Sequence, residues 1–161
     1  NMTDKIAILS HLSDQGNVLY TTLMDAFYNE FKYKPLVIDK WFALQARATS
    51  ATTLPFVTEL LKHKDFSYNN PNRARSLIGV FLHANPARFH TVEGYAFACT
   101  EILKLDKINP KTAARLATAF ENTSKLADHL TQAAKQALGN ILENKQNISN
   151  DLYEIVSKVH Q

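Results

Sequence analysis

Along nearly the whole chain, apolar residues recur three and four positions apart. Val18, Leu19, Thr22, Leu23, Ala26 and Phe27 form one stripe, and Tyr95, Ala98, Cys99, Ile102 and Leu105 a second. Leu126, Leu130, Ala134, Ala137, Leu138 and Ile141 form a third, and Leu152, Ile155, Val156 and Val159 a fourth. This spacing lines one face of an α-helix, and no alternation of period two competes with it. The segment from Pro35 to Leu44 is apolar nearly all round (Leu36, Val37, Ile38, Trp41, Phe42, Ala43, Leu44), the mark of a helix enclosed by others. Only 4 glycines in 161 residues leave little of the residue type that tight β-turns and phosphate loops require. The expected fold class is all-α.

Helix starts are legible from caps: Thr3 or Asp4, Asn17, Pro35, Thr53 before Pro55, Asn70-Pro71, Asn109-Pro110, Thr123 or Ser124, and Ser149. About nine helices follow from these signals. The starts at Pro35, Pro71, Pro110 and Asn150 are 36, 39 and 40 residues apart, room each time for a helix pair and two connections. That interval suggests an armadillo- or HEAT-like α-solenoid of paired helices, whose repeats run to about 40–47 residues. Polar stretches 65–72, 85–94 and 144–150 read as loops, and no linker or low-complexity tract divides the chain. A single helical domain, residues 1–161, is expected.

Charge and cysteine content narrow the function classes. The net charge is +3, from 18 basic and 15 acidic residues, with no block of Lys and Arg; nucleic-acid surfaces usually carry a clustered basic stripe. Cys99 is the sole cysteine, so neither a disulfide framework nor a thiolate zinc site is expected. No apolar run approaches the roughly 18–20 residues of a membrane span. Asn1 precedes Met2, as expected of a chain that does not begin at a natural start, and no targeting peptide is recognisable.

Asn70-Pro71-Asn72-Arg73-Ala74-Arg75 is the most informative stretch. Asn70 is a good N-cap and Pro71 suits the first helical position. Arg73 and Arg75 then stand at the positive end of the helix dipole, where a cation costs about 0.3–1 kcal/mol unless an anion faces it. Each arginine flanks the stripe Ala74, Leu77, Ile78, Phe81 and Leu82, so each either pairs with an acid from a neighbouring helix or awaits an external anion. Lys111 and Arg115 repeat the pattern after Asn109-Pro110. Like charges four apart on a helix repel by a few tenths of a kcal/mol, so this pair faces an anion or open water. Small neighbours (Thr112, Ala114, Thr118, Ala119) suit the close approach of another surface or a ligand carboxylate.

Catalytic motifs are missing from the sequence. None of the six histidines (His11, His63, His83, His90, His129, His160) stands in an H-E-x-x-H arrangement. His90, beside Phe89, reads as a hydrogen-bonded packing residue. Cys99 lies on an apolar helix face with no basic neighbour to lower its pKa. Neither glycine-rich phosphate-loop pattern occurs, so nucleotide binding has no support. On residues alone the chain is a binding or lid module without chemistry of its own.

The run from Asn70 to Phe81 (NPNRARSLIGVF) is followed by Asn85-Pro86-Ala87-Arg88-Phe89-His90, Gly94-Tyr95, Leu105-Asp106-Lys107, Asn109-Pro110 and Ala113-Ala114-Arg115-Leu116. With Asn1-Met2-Thr3-Asp4, the segment from Pro35 to Ala46 (PLVIDKWFALQA) and Asp151-Leu152-Tyr153-Glu154, this succession resembles the C-terminal helical domain of bacterial aminopeptidase N, the alanyl aminopeptidase type of zinc metallopeptidase. The resemblance covers essentially the whole chain, in order.

It implies a longer, cytoplasmic parent enzyme in which a separate catalytic domain holds zinc through H-E-x-x-H and a distant Glu. This chain has no such ligands and would be inactive alone. The helical domain would enclose a chamber over the catalytic domain, its partner in the same parent chain, admitting peptide substrates and excluding folded proteins. By the same resemblance Arg75 and Arg115 face that chamber near the carboxylate end of the substrate, and Lys111, one turn before Arg115, is added as a third candidate. Lys111 stands where the family more commonly has glutamine, the loop from His90 to Tyr95 is shorter than usual, and Lys125-Leu126-Ala127-Asp128 replaces a more basic stretch. A stand-alone helical-repeat module binding an acidic protein is the alternative.

Overall fold

The computed structural model describes residues 1–14 and 18–161. Among these the chain is helical, without a strand. In chain order the α-helices are α1 (Met2–Asp14), α2 (Val18–Phe31), α3 (Pro35–Ala46), α4 (Thr53–Leu60), α5 (Pro71–Ala74), α6 (Val80–Ala84), α7 (Pro86–Phe89), α8 (Val92–Asp106), α9 (Pro110–Ala117), α10 (Asp128–Glu143) and α11 (Asn150–His160). A π turn, Arg75–Gly79, joins α5 to α6 without a break, so residues 71–84 form one rod. The backbone packs as two compact units, Asn1–Arg88 and Phe89–Gln161.

In the first unit α3 is the hub, packing against α1, α2, α4 and the 71–84 rod. Its buried residues are Val37, Ile38, Trp41, Phe42, Leu44 and Ala46, but Leu36 is 72% exposed and Lys40 is exposed, so the helix is not enclosed all round as its near-continuous apolar sequence predicts. Each large side chain so buried contributes about 1.5–3 kcal/mol. The Trp41 indole N–H donates to the Met24 carbonyl at 3.1 Å, which fixes α3 against α2. On the rod, Ala74, Leu77, Ile78, Phe81 and Leu82 are all buried, as their spacing predicts.

The second unit stacks one helix pair on the next: α8 packs on α9, α10 on α11, and across the pairs α8 on α10 and α9 on α11. That counterpart-on-counterpart packing is how paired-helix repeats bury a continuous core. Tyr95, Ala98, Ile102 and Leu105 of α8 meet this core, as do Ala134, Leu138 and Ile141 of α10 and Leu152 and Val156 of α11. At the end of α8 the buried Asp106 accepts from the Ser149 amide at 2.7 Å and from its hydroxyl at 2.5 Å, while Ser149 Oγ caps α11 by accepting from the Leu152 amide at 3.1 Å.

Several local expectations change. The apolar stripe of α2 is only partly its buried face: Phe27 is buried and Leu23 half-buried, but Leu19 is 52% exposed and Ala26 is exposed, while Met24, outside the stripe, is buried. The helix is apolar on more than one side, and packing against α1 and α3 selects the face. Thr123 does not start α10. Its hydroxyl donates to the Phe120 carbonyl at 2.9 Å within a 3-10 turn, Thr123–Lys125, and α10 begins at Asp128 with no side-chain cap. At the front, Asn1 rather than Thr3 or Asp4 caps α1, accepting from the Asp4 amide at 2.9 Å. The stretch 85–94 contains α7 and the first turn of α8, which Thr91 caps by accepting from the Gly94 amide at 2.8 Å. The expected cap at Asn17 lies outside the described residues.

Candidate functional site

The start of the 71–84 rod forms as its sequence predicts. Asn70 Oδ1 accepts from the Arg73 amide at 3.2 Å, and Pro71 occupies the first turn, where its missing N–H costs no bond. Arg73 and Arg75 then go separate ways. Arg73 is 7% exposed: its Nε donates to Asp39 Oδ1 of α3 at 2.6 Å, Nη1 donates to the Asp65 carbonyl, and the guanidinium lies 5.4 Å from the Phe42 ring centroid. Arg73 therefore follows the first reading, an ion pair tying two helices together.

Arg75 is exposed and forms no ion pair among the described residues. Its Nη2 donates to Asn72 Oδ1, one turn back. The Asn72 carbonyl also accepts from Ser76 Oγ at 2.8 Å, so Asn72 anchors the residues on which the π turn opens. A π turn is a wide, uncommon piece of helix, frequent at functional positions. The guanidinium of Arg75 keeps further donors turned to solvent, the state in which a planar fork can take a carboxylate through two parallel bonds.

Lys111 and Arg115 lie in the second unit, four apart on α9, both exposed and without an ion pair among the described residues. Asn109 caps α9, accepting from the Thr112 amide at 3.1 Å. The small neighbours Thr112 and Ala114 are buried inside the unit and are not free for a second surface, because α9 packs against both α8 and α11. Thr118 and Ala119 are half-buried.

Metal and nucleophile chemistry find no foothold in these side chains. Among the described residues no three His, Cys, Asp or Glu gather as ligands for an ion. Burial pushes the Cys99 thiol up to about 12, away from the range in which a thiolate attacks. His90 is held by packing and a hydrogen bond: Nδ1 lies 2.9 Å from Tyr95 Oη, and burial lowers its pKa. His63 sits against the rings of Tyr28, Trp41 and Phe42, its Nδ1 accepting from the Asp65 amide at 3.0 Å, and burial is the first cause of its lowered pKa. Tyr28 Oη donates to Asp65 Oδ2 at 2.5 Å; burial, then this carboxylate, pushes the phenol up to about 12. Sequence spacing gave no hint of the His63, Asp65 and Tyr28 cluster, because it joins α2 to the loop before the rod.

A family model described as a domain of unknown function (DUF3458_C) with ARM repeats matches residues 1–161. The chain belongs to this ARM-repeat family. Its relatives include aminopeptidase N of Caulobacter vibrioides, 39% identical over 160 residues, which are 98% of this chain and 18% of the relative. Aminopeptidase N of Escherichia coli is 38% identical over 160 residues (98% and 18%), and that of Haemophilus influenzae 36% identical over 163 residues (100% and 19%). The crystal structure of Legionella pneumophila aminopeptidase A in complex with aspartic acid superposes with a TM-score of 0.91 at 32% identity, covering 99% of this chain and 19% of that one. This member of the DUF3458_C family thus corresponds to one domain-sized portion of larger aminopeptidases, spanning 18–19% of their length.

Proposed function

We propose that residues 1–161 act as one C-terminal domain of a cytoplasmic zinc aminopeptidase, closing a chamber over the catalytic domain of the same chain, in which N-terminal amino acids are released from peptides. Zinc and its ligands would belong to the rest of the parent. The part left to this chain is binding and orientation: Arg75 and Arg115, with Lys111 beside Arg115, attract the carboxylate end of short peptides. The observation that carries this reading is the contrast between the two neighbouring arginines. Arg73 is spent on Asp39, while Arg75 is exposed with no acid opposite it. A fold serving only its own stability has no use for a second cation at the positive end of a helix. The similarity to aminopeptidase N along the whole chain supports the enzyme class.

The test mixes this chain with a parent lacking it and follows release of N-terminal alanine from a chromogenic amide and from a tripeptide. Association with restored tripeptide cleavage supports the proposal. Absence of association, or association that changes neither substrate's turnover, contradicts it.

A further inference from the structure

A groove of about 550 Å³ runs through the first unit between α1, α3 and the 71–84 rod. Its volume lies within the roughly 300–1,000 Å³ common to ligand sites. The α3 wall is Lys40, Ala43, Leu44 and Arg47, whose spacing of three, four and seven puts all four on one helix face. Lys40 and Arg47 are exposed at the two ends of that face, and neither forms an ion pair among the described residues; Ala43 and Leu44 make an apolar floor between them. The opposite walls are apolar and hydroxylic: Ile6 and Ser10 from α1, Ser76 and Val80 from the rod. Asp39 is the one acid in the lining, and its Oδ1 is bound by Arg73. The groove therefore offers two uncompensated cations across an apolar floor.

We propose that this groove binds an acidic peptide from solution in extended form. Seven residues of α-helix separate the cations by about 10 Å along α3. An extended chain of the polyproline II kind has three residues per turn and rises about 3.1 Å per residue, so carboxylates three residues apart in the peptide share one face and reach both cations across Ala43 and Leu44. The groove is distinct from the Arg75 guanidinium and its role does not depend on the aminopeptidase reading.

Fluorescence anisotropy with a fluorescein-labelled peptide of core Glu-Ala-Ala-Glu tests this, with a Gln-Ala-Ala-Gln peptide as control, titrated with this chain and with the full-length protein. The acidic peptide should bind both proteins more tightly than the control, and weaken as salt rises. Lys40→Gln with Arg47→Gln, two exposed positions, should raise its Kd about fivefold to tenfold. Equal binding of the two peptides, or a Kd unmoved by the double substitution, overturns the proposal. Binding to this chain but not to the full-length protein also overturns it, since the groove is then covered within the protein. Full-length protein that binds the acidic peptide yet releases no N-terminal residue supports the groove and defeats the aminopeptidase reading instead.

Discussion

Arg73 Nε and Asp39 Oδ1 meet at 2.6 Å with both side chains largely out of solvent, and this pair gives an acid to one of two neighbouring arginines while the other has none among the described residues. Arg73 also donates through Nη1 to the Asp65 carbonyl and lies against Phe42, so its guanidinium is held inside the unit. Arg75 bonds Asn72, forms no ion pair among the described residues, and is exposed.

Asp39→Ala should destabilise the chain by about 3 kcal/mol, because a buried guanidinium left without its acid keeps its desolvation cost and loses the compensation. Asp39→Asn, which keeps an acceptor, should cost less. Urea unfolding of the three proteins at neutral pH gives the ordering, and Asp39→Ala as stable as the parent chain would show the pair to be dispensable.

Ser149→Ala should cost about 2 kcal/mol. It removes the cap on α11 and one of the two bonds that satisfy the buried Asp106 carboxylate. Ser124→Ala, at an exposed position with no side-chain bond among the described residues, is the control and should stay within about 0.5 kcal/mol. Thermal or urea unfolding separates the two, and equal effects would remove Asp106 and Ser149 as a clasp between α8 and α11.

Acid should weaken the fold through His63 and His90. Burial lowers both below the ordinary value of 6.5, so the unfolded chain takes up these protons more readily than the folded one. Stability then holds above about pH 6.5 and falls as pH drops below it, since the state binding more protons gains. In addition, a protonated His63 cannot accept from the Asp65 amide. Urea midpoints measured from pH 7.5 down to 5 should decline, with a shallower decline for His63→Gln combined with His90→Gln. An identical slope in that variant would assign the acid sensitivity elsewhere.

Much of the fold is legible in the sequence because caps and apolar spacing are local signals. Asn70, Asn109 and Ser149 each accept the amide expected of an N-cap, and the stripe from Ala74 to Leu82 is buried throughout. Where spacing allows two faces, as on α2, tertiary packing chooses, and the sequence alone does not say which. Thr123 fails as a helix start because its hydroxyl bonds the Phe120 carbonyl, a competition invisible until the turn is formed. At the site, the dipole argument identifies both arginines of the rod as anomalous but does not divide them. Asp39 is 34 residues from Arg73 in the chain, and only the packing of α3 on the rod assigns it to one arginine and denies it to the other. The Lys40 and Arg47 face of α3 was equally hidden, since a helix read as enclosed gives no reason to look for a groove along it.

The most direct test of the account is kcat/KM of the full-length enzyme for a tripeptide with a free carboxylate, set against a chromogenic alanyl amide that lacks one, before and after Arg75→Ala plus Arg115→Ala. Both positions are exposed, so folding should be unaffected. The account predicts a fall of about tenfold for the tripeptide, carried mainly by KM, as expected when exposed charges that attract the substrate carboxylate are lost, with the amide unchanged. A tripeptide kcat/KM that does not move, or an equal fall on both substrates, would contradict it.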